Sequence, residues 1–279
     1  MSDLLFADAP NRLGERRTER AARAAASRTL QRLWDGGYVE RLPAMLTSRR
    51  TALPYLAFVT TLTAVGAAVV AEHYATLERP QELRWAPGAL ELGPQQLEHT
   101  VGLLSVTALL ARSCRRDGLT FFGWQDDRQL AGLTRAGQTH FISVPDGFFI
   151  IGRSRQASRG YFLELDLGTE TVLGFSPHRR DWGDKIAGYV KYFRRDYPRE
   201  ALFAGIARPT VLTITTSDER CANLLAATRA AGGDAGFWFT TLDRFDPPDP
   251  RVPRASAVLG PIWRAPTDDA PRALADVPR

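Results

Sequence analysis

The residues most able to do chemistry lie in the run Tyr161-Phe162-Leu163-Glu164-Leu165-Asp166-Leu167. By the two-residue period of a strand, Tyr161, Leu163, Leu165 and Leu167 face one way, while Glu164 and Asp166 share the other side. Two carboxylates so placed stand about 7 Å apart, and in an apolar strand they are costly unless hydrated, paired or bound to a cation. Asp146, in Val144-Pro145-Asp146-Gly147, enters the preceding strand, and Glu98 sits near the start of an earlier helix. Lys185 and Tyr189 project as an i,i+4 pair from the helix that follows, with Tyr192 one turn beyond. Each has a plain alternative: a wet-faced edge strand, a Pro-Asp-Gly turn, a solvated helix acid, a surface helix with an apolar underside. Taken together they suit phosphodiester hydrolysis. Clustered carboxylates hold Mg²⁺ or Mn²⁺, which stabilises charge on a phosphate and generates hydroxide from water, and a nearby lysine neutralises developing charge. On that reading Asp146, Glu164 and Lys185 are catalytic, and Asp146, Glu164, Asp166 and Glu98 are the metal ligands.

The elements that must position these groups follow a regular order. The pattern predicts a helix over Gln95–Arg115 and strands over Leu119–Trp124, Gly147–Ile151 and Tyr161–Leu167. A helix over Trp182–Arg195, a strand over Pro209–Thr216, a helix over Asp218–Ala231 and a strand over Phe237–Thr241 complete the series. Ser217 caps the last helix, with Asp218 and Glu219 in its first turn. The fold class is therefore α/β (α+β), with a mixed sheet and helices on its faces. The α-β-β-β-α-β order, with its helix Glu, Pro-Asp, acidic strand and helix Lys, resembles the restriction-endonuclease-like fold, whose signature is PD-(D/E)XK. This domain is placed at residues 80–264, and residues 265–279 read as a disordered tail.

Ahead of it, residues 1–79 look like a partial winged helix. Leu30, Leu33 and Trp34 fall on one face of an Arg/Ala-rich helix and Arg28 and Arg32 on another; Asp35-Gly36-Gly37 stops it, and Tyr38–Leu42 begins a strand. In a winged helix such a helix enters the major groove and the hairpin touches phosphate. Ten Arg against six acids in the first fifty residues supply +4 of the net charge of +5, which suits a polyanion or simply a solvated helix face. Arg28, Arg32, Arg49 and Arg50 are the DNA-binding candidates. Residues 51–71 carry no charge, long enough to cross a bilayer, but Pro54, four Thr and six Ala favour a strand followed by a small-residue helix. Two distant cysteines suggest neither a disulfide framework nor a thiolate site, and no signal peptide is read at the start, so a cytoplasmic location and no membrane partner are expected.

The chain also resembles the replication-relaxation proteins of bacterial plasmids and other mobile elements. The resemblance lies in residues 28–41, 62–71, 145–147, 162–170, 185–192, 215–225, 239–245 and 259–264, in order along the chain. It implies a winged-helix part, a nuclease-like part, and a role in replication or mobilisation of an element. The partners it implies are double-stranded DNA and other replication or mobilisation proteins, with room for a homodimer. Two departures stand out. The strand motif is Glu164-Leu165-Asp166 where acid-X-Lys is standard, so Lys185 on the helix must serve, or the site is inactive. Leu4-Leu5-Phe6 matches the end of the second helix of the winged module, which leaves its first helix absent or upstream. Three functions therefore compete: a DNA-binding protein without essential catalysis, a metal-dependent endonuclease or nickase, and a membrane-attached accessory protein.

Overall fold

The computed structural model describes residues 18–47, 54–75, 93–154, 157–168, 181–203, 205–246 and 254–276. The chain divides into two units, residues 1–105 and 106–279. The expected boundary at 79/80 lies outside the described residues.

In the first unit, α1 (Glu19–Asp35) starts at Thr18, whose hydroxyl accepts the Ala21 N–H at 3.3 Å, and stops where Gly37 takes a φ of +72°. Its buried stripe is Ala22, Ala25 and Ala26. Leu30, Leu33 and Trp34 lie outside that stripe: Trp34 is 47% exposed and carries the Arg41 guanidinium 4.8 Å above its ring. β1 (Val39–Thr47) pairs antiparallel with β2 (Pro54–Leu62), from Val39 opposite Leu62 to Thr47 opposite Pro54. α2 (Ala64–Ala75) follows, started by Thr63, whose hydroxyl donates to the Gly37 carbonyl at 2.6 Å. A Cβ at Gly66 would stand 1.9 Å from the Tyr38 carbonyl oxygen, so only glycine lets helix and hairpin meet. The uncharged stretch is thus a strand and a short helix, as its threonines and alanines predict. No described helix is long and apolar enough to cross a membrane. α3 (Pro94–Arg116) contains the residues at which the two units divide.

The second unit is built on a seven-stranded mixed sheet of order β3-β4-β5-β6-β7-β8-β9. β3 (Thr120–Asp126), β4 (Gly147–Gly152) and β5 (Ser158–Leu165) form an antiparallel meander. β6 (Thr210–Thr215) and β7 (Phe237–Thr241) then run parallel to β5, joined through α5 (Trp182–Arg195) and α6 (Asp218–Ala230). This is the predicted succession of strands and helices. Between β3 and β4 a helix was not foreseen. α4 (Asp127–Arg135) begins with a capping box in which Asp126 accepts the Gln129 N–H at 2.8 Å and the Gln129 side chain accepts the Asp126 N–H at 3.0 Å.

The expected disordered tail is also corrected. After the short helices α7 (Leu242–Phe245) and α8 (Arg254–Leu259), β8 (Trp263–Ala265) and β9 (Asp268–Arg272) extend the sheet, and Trp263 and Leu274 are fully buried. Pro271 is tolerated because β9 is an edge strand, where a missing N–H costs nothing to the ladder. The core beside α5 is strongly aromatic, with Phe141, Phe148, Phe162, Tyr192 and Phe203 in mutual contact. On Val106, Leu110 and Cys114, a four-residue spacing gives the second-unit part of α3 a continuous buried stripe.

Candidate functional site

Glu164 and Asp166 lie at the carboxyl end of β5. Register places Gly147 opposite Leu163, so Asp146 sits at the mouth of β4 beside this end, and its Oδ2 accepts the Leu165 N–H at 2.7 Å. The Asp146 side chain therefore continues the ladder where β4 has not yet begun. Gly147 is fixed by close approach: a Cβ there would stand 2.4 Å from the Trp124 ring.

The strand ends at Leu165, one residue before the second acid, yet the Asp166 N–H still donates to the Ile214 carbonyl at 2.9 Å. Both carboxylates are buried, at 2% exposure for Glu164 and 3% for Asp166. Each meets a cation from a helix. Glu164 Oε2 accepts from Lys185 Nζ at 2.9 Å and its Oε1 from the Tyr189 hydroxyl, the i,i+4 pair on α5. Asp166 is gripped by the Arg220 fork, with Nη2 to Oδ1 at 2.7 Å and Nε to Oδ2, while Thr215 donates to Oδ2 at 2.6 Å and the Gly168 N–H to Oδ1 at 3.2 Å. Capping orients both cations. Asp181 and Asp184 form a reciprocal box at the start of α5, and Ser217 accepts the Arg220 N–H at 3.2 Å at the start of α6.

Burial pushes the Glu164 carboxyl up to about 7; the Lys185 charge opposes the rise and the Asp146 charge adds to it. Asp127, at the start of α4, is raised too, first by burial and further by Asp126 and Asp146. The acids of β3–α4, β4 and β5 thus share one end of the sheet. A metal ion does not fit them as they stand. Both oxygens of Glu164 and both of Asp166 already accept protein donors. Among the described residues no three His, Cys, Asp or Glu converge to hold one.

Of the expected site residues, Asp146, Glu164 and Lys185 come together in the second unit, while Asp166 turns to Arg220 and Thr215. Glu98 lies on α3 in the first unit. Tyr192 donates elsewhere, to Glu200 at 2.6 Å, a second buried carboxylate that also accepts the His140 N–H at 2.7 Å. The sequence reading missed Arg220 and Thr215. Arg220 did carry a signal: a cation in the first turn of a helix opposes the helix dipole and calls for an acid partner. Arg28 and Arg32 are exposed one turn apart on α1 and, with Gln31, line a cavity of about 390 Å³. Arg49 and Arg50 lie outside the described residues.

The family model described as replication-relaxation matches residues 12–206, taking in α1, the hairpin and the sheet as far as Glu164, Asp166 and Lys185. No curated protein and no solved structure matches the chain. The family match supports a replication-related role. Most of the chain lies inside it, and the chain belongs to the replication-relaxation family.

Proposed function

We propose that the protein binds double-stranded DNA in the replication or mobilisation of a plasmid or other mobile element, and that its nuclease-like site serves as a rigid, self-neutralised support. The observation that carries this reading is the pairing at the site: Glu164 with Lys185 and Tyr189, Asp166 with Arg220 and Thr215. Asp166 has all of its roughly four acceptor positions taken by protein donors, and an ion at Glu164 would have to sit beside the Lys185 ammonium. The winged-helix reading of the first unit rests on a helix, an antiparallel hairpin and exposed Arg28 and Arg32 on the helix. Fluorescence anisotropy with a labelled duplex tests it. Affinity should fall steeply with salt, weaken in the Arg28→Ala/Arg32→Ala double variant, and persist in Asp146→Ala. A parent protein that fails to bind duplex at low salt would end this reading.

A second reading, a DNA endonuclease or nickase, draws on the approach of Asp146, Glu164 and Lys185 at one sheet end, with a Glu164 carboxyl that titrates near neutrality. It requires divalent-metal-dependent nicking of supercoiled plasmid that Asp146→Ala and Glu164→Ala both abolish.

A further inference from the structure

The last turns of α5 carry a run of cations that the acidic end of the sheet does not explain. Lys191, Arg194 and Arg195 fall at i, i+3 and i+4 and Arg199 follows on the 3₁₀ turn Tyr197–Arg199; all four are exposed. Arg195 holds Asp196 at 3.0 Å. Lys191, Arg194 and Arg199 make no ion pair among the described residues. The nearest buried acid, Glu200, is already satisfied by Tyr192 and the His140 backbone. Lys191 is also one of only two lysines in the chain; the other is the partly buried partner of Glu164.

Strand order shows what else lies at this end. Thr120 pairs with Gly152 and Gly152 with Ser158, so the amino end of β3, the carboxyl end of β4 and the amino end of β5 are together. Tyr161 pairs with Thr210, which puts the amino end of β6, to which α5 returns, at the same edge. Exposed Arg115 and Arg116 at the end of α3, with exposed Asp117 next to them, and Arg153, immediately after β4, belong to it. Its Asp234 is locked by the Arg208 fork at 2.6 and 2.9 Å. The acids Asp146, Glu164 and Asp127 thus stand at one end of the sheet, and the ridge cations at the other, where Asp196 and Asp234 are each paired with an arginine.

The geometry points to a second nucleic-acid contact on the C-terminal unit: the ridge Lys191–Arg194–Arg195–Arg199 takes phosphates of the DNA backbone, apart from any contact made by α1. This rests on the DNA-binding reading above. The ridge runs roughly 12 Å at helical rise, the length of three or four nucleotides of one strand. A phosphate backbone fits it better than a bilayer surface. The other residues exposed along it are Ala187 and Pro198, and its aromatic side, Tyr189, Tyr192 and Phe193, is spent in the core.

The test uses the full chain, a labelled duplex and anisotropy titrations from low to high salt. The Lys191→Gln/Arg194→Gln/Arg199→Gln variant leaves the Arg195–Asp196 pair intact and removes only exposed groups. An Arg128→Gln variant at the start of α4, whose cap Asp126 pairs with Gly147 at the Glu164 end of the sheet, removes charge from the opposite end. The ridge variant should lower the log–log salt slope by about 2 to 3 and weaken binding at least tenfold, to order of magnitude, while the α4 variant keeps the parent slope. A ridge variant that binds like the parent, or an α4 variant that falls equally, would overturn the ridge and leave the DNA-binding reading standing. A parent that does not bind duplex removes both. Capture on phosphatidylserine vesicles without duplex binding would reassign the cations to a lipid surface and overturn the proposal.

Discussion

Glu164 and Asp166 are two residues apart, equally buried, and neutralised in different ways. Asp166 receives a planar two-pronged guanidinium, a hydroxyl and a backbone N–H. Glu164 receives a single ammonium and a phenol, with the Asp146 carboxylate close enough to oppose its charge. The outcome is a Glu164 carboxyl held near neutrality despite its lysine, because burial outweighs one point-like cation.

That contrast can be broken most forcefully from the arginine side. Arg220→Ala leaves Asp166 buried against Thr215 with no cation, and should cost about 3–5 kcal/mol in chemical denaturation. A loss under 1 kcal/mol would mean that the fork contributes little.

The next effect is a pH dependence. The folded pKa of Glu164 lies above the usual glutamate value, so the folded chain holds a proton that the unfolded chain has released between about pH 4.5 and 7. The associated stability is present in full below that window and is lost as pH rises through about 7, at most about 3 kcal/mol in all. Melting temperature followed from pH 5 to 8 should fall in the parent, and Glu164→Gln should flatten that component. An identical slope in both would remove Glu164 from the account.

Lys185→Met sharpens the comparison with the smallest change. At pH 6 Glu164 can keep its proton, so the loss should be about 1–2 kcal/mol, well below that of Arg220→Ala, and it should grow toward pH 8. A cost that matches Arg220→Ala at both pH values would make the two acids equivalent after all.

What the sequence made legible follows from which signals stood out against its composition. α5 was readable from Trp182 to Arg195 because aromatic and aliphatic residues recur at helical spacing. Lys185 was noticed because lysine is rare in this chain, and the structure places it on Glu164. Arg220 was lost among 34 arginines, although its place in a first turn set it apart. Composition misled twice more. Asp268-Asp269-Ala270-Pro271-Arg272 reads as tail, yet pairs as an edge strand because Trp263 and Leu274 anchor its ends in the core. Leu30, Leu33 and Trp34 stand out as an apolar face of α1, yet alanines fill its buried stripe and the indole stays outside under Arg41. The capping box Asp126–Gln129 was a usable sign of α4 that hydrophobic periodicity alone did not bring out.

The central claim of the proposed function is that protein cations neutralise Glu164 and Asp166 and that no divalent ion binds there. The most direct measurement is the melting temperature of the full chain at pH 7.5 across a Mn²⁺ titration, for the parent and Glu164→Gln. An ion that bound the folded site would raise it with concentration. The account expects both proteins to melt at the same temperature with and without Mn²⁺. A saturable rise in the parent that Glu164→Gln abolishes would contradict it.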